Sequence, residues 1–215
     1  MRASVATDTF LRDELARSVG AAIDGTLVSA TAAVTDEAPA GLRNGTSALT
    51  LTGDGSVAGI RCDIAAFLKE LVGDNLSVAG SFWVMPEIVA IDLAMATNEV
   101  GAPAFPGITP TGGTLAGIPV FTSQYVGANV VMLIKGDEIF LGDEGGIQVS
   151  VSDQATLQMD SDPTQSSIGT PTATAGVSMW QTNSLAVRVE RFVNWQKRRS
   201  TALVWATVNW DPCAS

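Results

Sequence analysis

The stretch Ser184–Trp210, SLAVRVERFVNWQKRRSTALVWATVNW, decides the fold predicted for this chain. Up to Glu190 its apolar residues alternate with polar or small ones, the period of two of a strand with one buried face. Past Arg191 apolar groups occupy both faces, which indicates a bulge or a second packing surface. The polar segment Gln196–Ser200 then predicts a turn between two antiparallel strands. The first of them, Leu185–Trp195, would span roughly 36 Å. Two ordinary strands at the edge of a sandwich are the alternative.

The composition is that of a folded chain. Of 215 residues, 46% are hydrophobic and 16% are charged, which excludes disorder and allows one large domain or two small ones. The longest unbroken apolar run, Val130–Ile134, is too short to span a bilayer, so we expect no membrane association. The N-terminal residues lack the apolar segment of a signal peptide, which predicts an intracellular origin.

The residues that usually carry catalysis and metal binding are scarce. The chain has no histidine, which removes the commonest general base and metal ligand and excludes histidine-based triads. Its two cysteines, Cys62 and Cys213, do not form a CxxC motif, and we expect free thiols. Phosphate-binding and nucleophile-elbow motifs are absent, so no cofactor or metal is expected. Twenty-two acidic residues always contain some carboxylate pairs, so a carboxylate-dependent hydrolase domain stays an alternative.

The charges are unevenly distributed within a net charge of −10. Asp137 to Asp162 is an acidic span without lysine or arginine, and a basic cluster follows it. These could be two solvated faces, or complementary patches on neighbouring copies. The acidic total argues against specific nucleic-acid binding. The residues that we name as candidate inter-subunit contacts are Arg188, Arg191, Lys197, Arg198, Arg199, Asp143 and Glu144.

Two amphipathic patterns predict helices in the first third of the chain. An apolar residue every four positions, from Leu11 to Leu27, predicts a helix of about five turns that is capped by Thr7 or Asp8 and packs its stripe into a core. A second helix runs from about Ile60 to a stop at Gly73.

The middle of the chain alternates strands with one more helix. Residues 79–85 predict a buried strand, and Pro86 starts a third helix through about Thr97. Gly101–Pro119 holds five glycines and four prolines and is predicted to be an ordered loop. Residues 117–121 lead into a strand, and short strands are predicted at 130–134, 138–141 and 147–151. Ser161–Gly176 is predicted to be a surface loop. This order predicts one discontinuous body, residues 1–45 and 146–215, into which residues 46–145 are inserted.

Four segments carry a resemblance to a known family. They are ELARSVGAAIDGTLVSATAAVTDEAPAGLRNG (14–45), DIAAFLKEL (63–71) with SFWVMPEIVAIDLAMATNEVG (81–101), GGTLAGIPVFTSQ (112–124) and NSLAVRVERFVNWQKRRSTALVWATV (183–208). In this order and spacing they resemble the spine helix, axial-domain helices, glycine-proline strand and terminal strands of tailed-bacteriophage major capsid proteins of the Hong Kong 97 type.

The resemblance implies a fold, a domain arrangement and a function. The fold would be α+β, with a long spine helix and long antiparallel strands in a peripheral domain (1–45 and 146–215) and an inserted α/β axial domain (46–145). Copies would assemble into hexamers and pentamers of a shell that encloses the genome. The location would be the virion, with assembly in the bacterial cytoplasm alongside portal and scaffold or protease proteins. No enzymatic role is implied.

The chain also departs from the family pattern. An N-terminal arm and an extended loop normally precede the spine helix and are not seen before it here, so we expect the C-terminal part of a longer product. Cross-linking through that loop is not transferred. The Gly101–Gly113 loop is our candidate for a contact at the capsomer axis, with Gly107, Gly112 and Gly113 as its candidate residues. Besides the hydrolase, a secreted binding module is the second alternative.

Overall fold

A computed structural model describes residues 5–35, 38–160 and 175–211, which form three α-helices and twelve β-strands. The helices are α1 (Val5–Leu27), α2 (Val57–Gly73) and α3 (Glu87–Met95). The strands are β1 (Ser81–Met85), β2 (Ile108–Thr109), β3 (Gly112–Leu115), β4 (Ile118–Thr122), β5 (Val130–Lys135), β6 (Ile139–Asp143), β7 (Gln148–Ser152), β8 (Thr156–Gln158), β9 (Gly176–Ser178), β10 (Ala186–Glu190), β11 (Val193–Lys197) and β12 (Leu203–Thr207). The chain packs as two units, unit 1 with residues 1–20 and 144–192 and unit 2 with residues 21–143 and 193–215.

Unit 2 is built on a six-stranded sheet in the order β12-β5-β1-β4-β3-β2. β1 and β4 are parallel, and the other neighbours are antiparallel. Every residue of β5 is buried. Because side chains alternate across a strand, Val131 and Leu133 enter one apolar layer, and Val130, Met132 and Ile134 enter the other. The sheet is therefore covered on both faces.

Helices α2 and α3 cover the first of these faces. In α2 the inner positions Ile60, Ile64, Phe67 and Leu71 are buried, which confirms the predicted helix and its apolar stripe. Ser56 caps α2 by accepting a hydrogen bond from the Gly59 N–H at 3.1 Å. The sequence-predicted strand at 79–85 and the third helix are confirmed as β1 and α3.

The end of the described chain is anchored in this layer by Trp210. Its ring packs edge-on against Phe67, with centroids 6.4 Å apart. Its indole Nε1–H donates to Asp63 Oδ2 at 3.0 Å, and the Gly53 N–H donates to the other oxygen at 2.9 Å. Asp63 is only 3% exposed, so these donors are what make its burial tolerable.

Unit 1 contains the first part of α1 and two-stranded ribbons. β7 pairs with β10, and β8 pairs with β9, both antiparallel. Among the residues that the structure describes in this unit, Met179 is the only hydrophobic one that is buried.

The predicted pairing of the C-terminal strands is wrong. The strands exist, but β10 pairs with β7, β11 with β6, and β12 with β5. The expected eleven-residue strand is broken at Arg191–Phe192, where the alternation ends. The expected turn, Gln196–Ser200, contains the end of β11 and only the first residue of a 3-10 turn at Ser200–Ala202. β12 joins the central sheet because it can bury residues on both faces there, as Leu203, Val204 and Ala206 do.

Five further expectations need correction or fall outside the described residues. Helix α1 already begins at Val5, so Thr7 and Asp8 lie inside it and neither caps it. Its stripe is not all core, since Leu11 and Leu15 are 44% and 36% exposed. The predicted Gly101–Pro119 loop contains strands β2 and β3. Most of the predicted Ser161–Gly176 loop, and Cys213, lie outside the described residues.

The boundaries of the two packed units differ from those of the predicted peripheral and axial domains. Units defined by packing do not test a division that was predicted from the order of the elements and is implied by the resemblance. The division into residues 1–45 with 146–215, and 46–145, stays a prediction.

We expect Trp210→Phe to lower the free energy of opening of unit 2 by roughly 2–4 kcal/mol, because it removes ring volume and leaves Asp63 Oδ2 without its donor. The measurement is hydrogen exchange of the β5 amides. Phe140→Leu is the matched control, since Phe140 is 62% exposed, and it should change the value by less than about 0.5 kcal/mol. Equal losses in the two variants would contradict the anchoring role of Trp210.

Candidate functional site

Three of the candidate basic residues lie together in unit 2, at the end of β11. Lys197 is partly buried, and its Nζ donates to the Asn44 backbone oxygen at 2.9 Å and to Thr46 Oγ1 at 2.7 Å. Burial lowers the pKa of its ammonium group. Lys197 therefore holds the loop at 44–46 against β11 within the same chain.

Arg198 and Arg199 share one buried carboxylate. Arg198 Nη1 lies 3.6 Å from Glu138 Oε1, and Arg199 Nε lies 3.7 Å from Glu138 Oε2. The Glu138 side chain is 10% exposed, and its Oε2 has no hydrogen bond. The arginine side chains are 56% and 48% exposed, so each keeps guanidinium donors in contact with solvent. One residue of the acidic span, Glu138, thus pairs with two residues of the basic cluster within the same chain.

Two other candidate basic residues and one acidic residue belong to unit 1. Arg188 is exposed and pairs with Glu190 two positions along the same strand. Arg191 and Glu144 are exposed, and the Glu144 N–H donates to the Phe192 oxygen at 3.2 Å. Asp143, the last candidate acid, ends β6 opposite Val193 in unit 2.

The three candidate glycines lie together in the β2–β3 hairpin and permit close backbone approach. A Cβ on Gly107 would meet Thr114 Oγ1 at 2.6 Å, and one on Gly112 would meet the Val120 oxygen at 2.7 Å. Gly113 has a φ of +131°, and a Cβ there would collide with the Gly107 oxygen. These glycines are required by the hairpin itself.

The loop at 40–46 is a feature that sequence reasoning missed. The Trp195 Nε1–H donates to the Ala40 oxygen at 2.8 Å, and the Trp205 Nε1–H donates to the Thr46 oxygen at 2.9 Å. Arg43 lies over the Trp205 ring at 5.1 Å. The two tryptophans were visible in the sequence, but the loop that they bind precedes them by more than a hundred residues, so local pattern gave no signal.

A groove in unit 2 has no evident chemistry. It has a volume of about 730 Å³ and is lined by residues 33–35 and 38–40 and by the β6–β11 ribbon, including Val34, Phe140 and Trp195. None of the described residues that line it is ionisable.

Acidic residues elsewhere do not form a metal site in the described part of the chain, where no group of three potential ligands was found. Burial, and then the nearby Asp211, raise the pKa of Asp92 on α3. None of the helices described is long and apolar enough to cross a bilayer.

We expect the Glu138 cluster to respond unequally to removal of its two sides. Glu138→Gln should cost about 1 kcal/mol of unfolding free energy, because the half-exposed arginines rehydrate. The double variant Arg198→Met with Arg199→Met should cost about 3 kcal/mol, since it leaves a buried carboxylate without a cation. Denaturant unfolding measures both, and Arg188→Met, at an exposed pair, should have little effect. If Glu138→Gln cost as much unfolding free energy as the double arginine variant, or more, the structural role of this cluster would be contradicted.

We expect Gly113→Ala to destabilise unit 2 by at least about 2 kcal/mol more than Gly117→Ala. Gly117 also has a positive φ, of +79°, but a Cβ there would meet nothing within 4 Å. Gly117→Ala should therefore lower the unfolding free energy only by the cost of placing alanine at a positive φ, about 1 kcal/mol. Hydrogen exchange of the β4 amides measures the difference, and similar losses would show that the contact with Gly107 is unimportant.

Comparison with known proteins identifies the family. The profile of the Phage capsid family matches residues 2–207. A capsid polyprotein of Pseudomonas phage PAJU2 is 37% identical over 213 residues, which cover 96% of this chain and 31% of that protein. A probable major capsid protein, gp17, of Mycobacterium phage L5 is 33% identical over 124 residues, which cover 52% of this chain and 35% of that protein. The chain thus spans about a third of the length of these curated relatives.

Solved structures show the fold. A chain from Mycobacterium phage Adephagia has a TM-score of 0.64 at 13% identity, with 96% of this chain and 66% of that chain covered. A chain from the capsid of an empty GTA particle has a TM-score of 0.60 at 13% identity, with 93% and 65% covered. These likenesses confirm the predicted α+β fold of the Hong Kong 97 type. The resemblance noted in the sequence is thereby confirmed, and the chain belongs to the phage capsid family.

Proposed function

We propose that this chain is a structural subunit of the head of a tailed phage or prophage and has no enzymatic role. Copies assemble into hexamers and pentamers of a shell that encloses the genome. Membership of the phage capsid family supports this proposal, as do the capsid proteins among its relatives. The comparisons give no support to a carboxylate-dependent hydrolase or a secreted binding module.

The observation that carries the proposal is the exposed apolar surface of unit 1. Its described residues bury hardly any hydrophobic side chain, although many are apolar. The exposed ones are Phe10, Leu11, Leu15, Ile147, Val149, Val151, Leu157, Met159, Trp180, Leu185 and Phe192. Apolar surface of this extent marks interaction sites, and a shell subunit would cover it with its neighbours.

The β7–β10 ribbon is the clearest case. Val151 lies opposite Val187, and Val149 lies opposite Val189, so four valines form one face. The β7 valines are 42% and 37% exposed. A two-stranded ribbon is at best marginally stable alone in water, so this face needs a covering partner.

The candidate contact residues differ in how they are already held within their own chain. Arg188, Arg191, Asp143 and Glu144 are proposed contacts between copies. Arg188, Arg198 and Arg199 each have an acidic partner in their own chain and would reach a neighbour with their solvent-exposed donors. Lys197 has two acceptors in its own chain. The hairpin at Gly107, Gly112 and Gly113 is the proposed contact at the capsomer axis.

The remaining parts of the proposal concern setting and partners. The peripheral domain is residues 1–45 and 146–215, and the axial domain is residues 46–145. The mature location is the phage head in the virion, after assembly in the bacterial cytoplasm. Portal and scaffold or protease proteins are the proposed further partners.

We expect Val151→Lys to weaken self-association at least tenfold, because it places a charge in an apolar contact, while the thermal stability of the unassembled chain changes little. Ser152→Lys, on the opposite face of the same strand, is the matched control. Sedimentation velocity and electron microscopy of the chain over a concentration series provide the measurement. Monodisperse monomers at every concentration, without shells, rings or tubes, would overturn the proposed function.

A further inference from the structure

Helix α3 presents a large apolar stripe to solvent. Its inner positions Val89, Ala90 and Leu93 are buried in the first apolar layer of unit 2. Its outer stripe consists of Ile88, Ile91 and Met95, which are 55%, 39% and 61% exposed. The stripe follows i, i+3, i+7 spacing, so these side chains share one face. Apart from Glu87 and Asp92, α3 is apolar on its outer side as well as on its inner side, and an apolar outer side is normally covered, which indicates a missing partner.

The outer face of helix α2 carries mainly short side chains, in contrast to the large ones on α3. Opposite its buried stripe lie Ala58, Cys62 and Ala65, followed by Lys69 and Val72. The first three side chains are short, so the helix surface between them is shallow and accessible. A shallow surface of this kind can accept the larger side chains of a facing helix.

The charges on the two faces are complementary. α3 contains Glu87 and Asp92 and no basic residue. The outer side of α2 carries two bases, Lys69 and Arg61, and one exposed acid, Glu70, next to Lys69. The Arg61 guanidinium lies 5.9 Å from the centre of the Phe105 ring. Opposite charges around an apolar centre favour one docking orientation and raise the association rate.

The two helices sit over different ends of the sheet of unit 2. α2 packs against β12, the strand at one edge, and α3 packs against β2, the strand at the other edge. One copy can therefore offer its α3 face to a neighbour while its α2 face receives another copy. Such a head-to-tail contact closes into a ring when the rotation between copies is suitable.

We propose that the α3 stripe of Ile88, Ile91 and Met95 docks on the α2 face of a second copy of this chain. There the three large side chains lie over Ala58, Cys62 and Ala65, and the acids of α3 face Arg61 and Lys69. This inference rests on the proposed function and names the surfaces that join neighbours within a ring.

The native thiol of Cys62 provides the test. All variants carry Cys213→Ser, and Ile91→Cys is added to the full chain. Under mild oxidation the contact predicts a ladder of disulfide-linked oligomers on a non-reducing gel, because each chain then holds one thiol on each docking face. Adding Cys62→Ser should abolish the ladder. Phe121→Cys, at a residue that is 59% exposed on β4, should give no ladder with Cys62.

The possible outcomes separate this inference from the proposed function. Rings or shells in electron micrographs together with the Cys62-dependent ladder support both. Rings or shells without the ladder, or linked dimers that persist without Cys62, overturn the α3–α2 contact and leave the shell function standing. Absence of any association overturns both.

A charge exchange tests the docking orientation. Lys69→Glu should slow formation of the ladder about two- to fivefold at low ionic strength. Combining it with Glu87→Lys should restore the rate, because the exchanged charges again attract. A double variant as slow as the single variant would overturn the assigned charge pairing.

Discussion

Burial of β5 on both faces is the constraint on which the rest of unit 2 depends. A strand with the sequence VVMLIK cannot leave either face in water without exposing large apolar side chains. One face is covered by α2 and α3, and the other by residues outside the sheet, including Val28, Leu42 and Trp195. β12 completes the sheet beside β5, and Trp210 then closes the layer under α2. Segments distant in sequence are thus held together by one central strand.

Unit 1 is organised in the opposite way. The strands of its two ribbons pair through their backbones. The ribbons and the first turns of α1 leave most of their described apolar side chains exposed. Backbone pairing without a core gives shape and little stability of its own. In the proposed shell this division of labour is useful, because unit 2 keeps the subunit folded and unit 1 is free to present surface to neighbours.

Local pattern predicted much of the fold, and partner choice was where it failed. α2, α3, β1, β4 and β5 were found because periodicity and proline placement act over a few residues. β12 was found as a strand but assigned to the wrong partner, because its pairing depends on how much surface each candidate strand lets it bury. The same limit applies to the site: Arg198 and Arg199 were recognised as a cluster, whereas their link to Glu138 crosses some sixty residues. The glycine-rich composition of the hairpin was evident from the sequence. The close approach of the Gly107 carbonyl, which excludes a side chain at Gly113, is visible only in the folded structure.

The described part of unit 1 buries almost no apolar side chain, and this has a consequence for the accuracy of assembly. In the proposed shell, part of the free energy of contact with a neighbour is used to order this surface, so each single contact is weaker than its area suggests. Weak contacts dissociate quickly, and a subunit that has joined at the wrong angle can leave before others trap it. The stability of the assembled shell then comes from the number of neighbours that each subunit contacts at the same time.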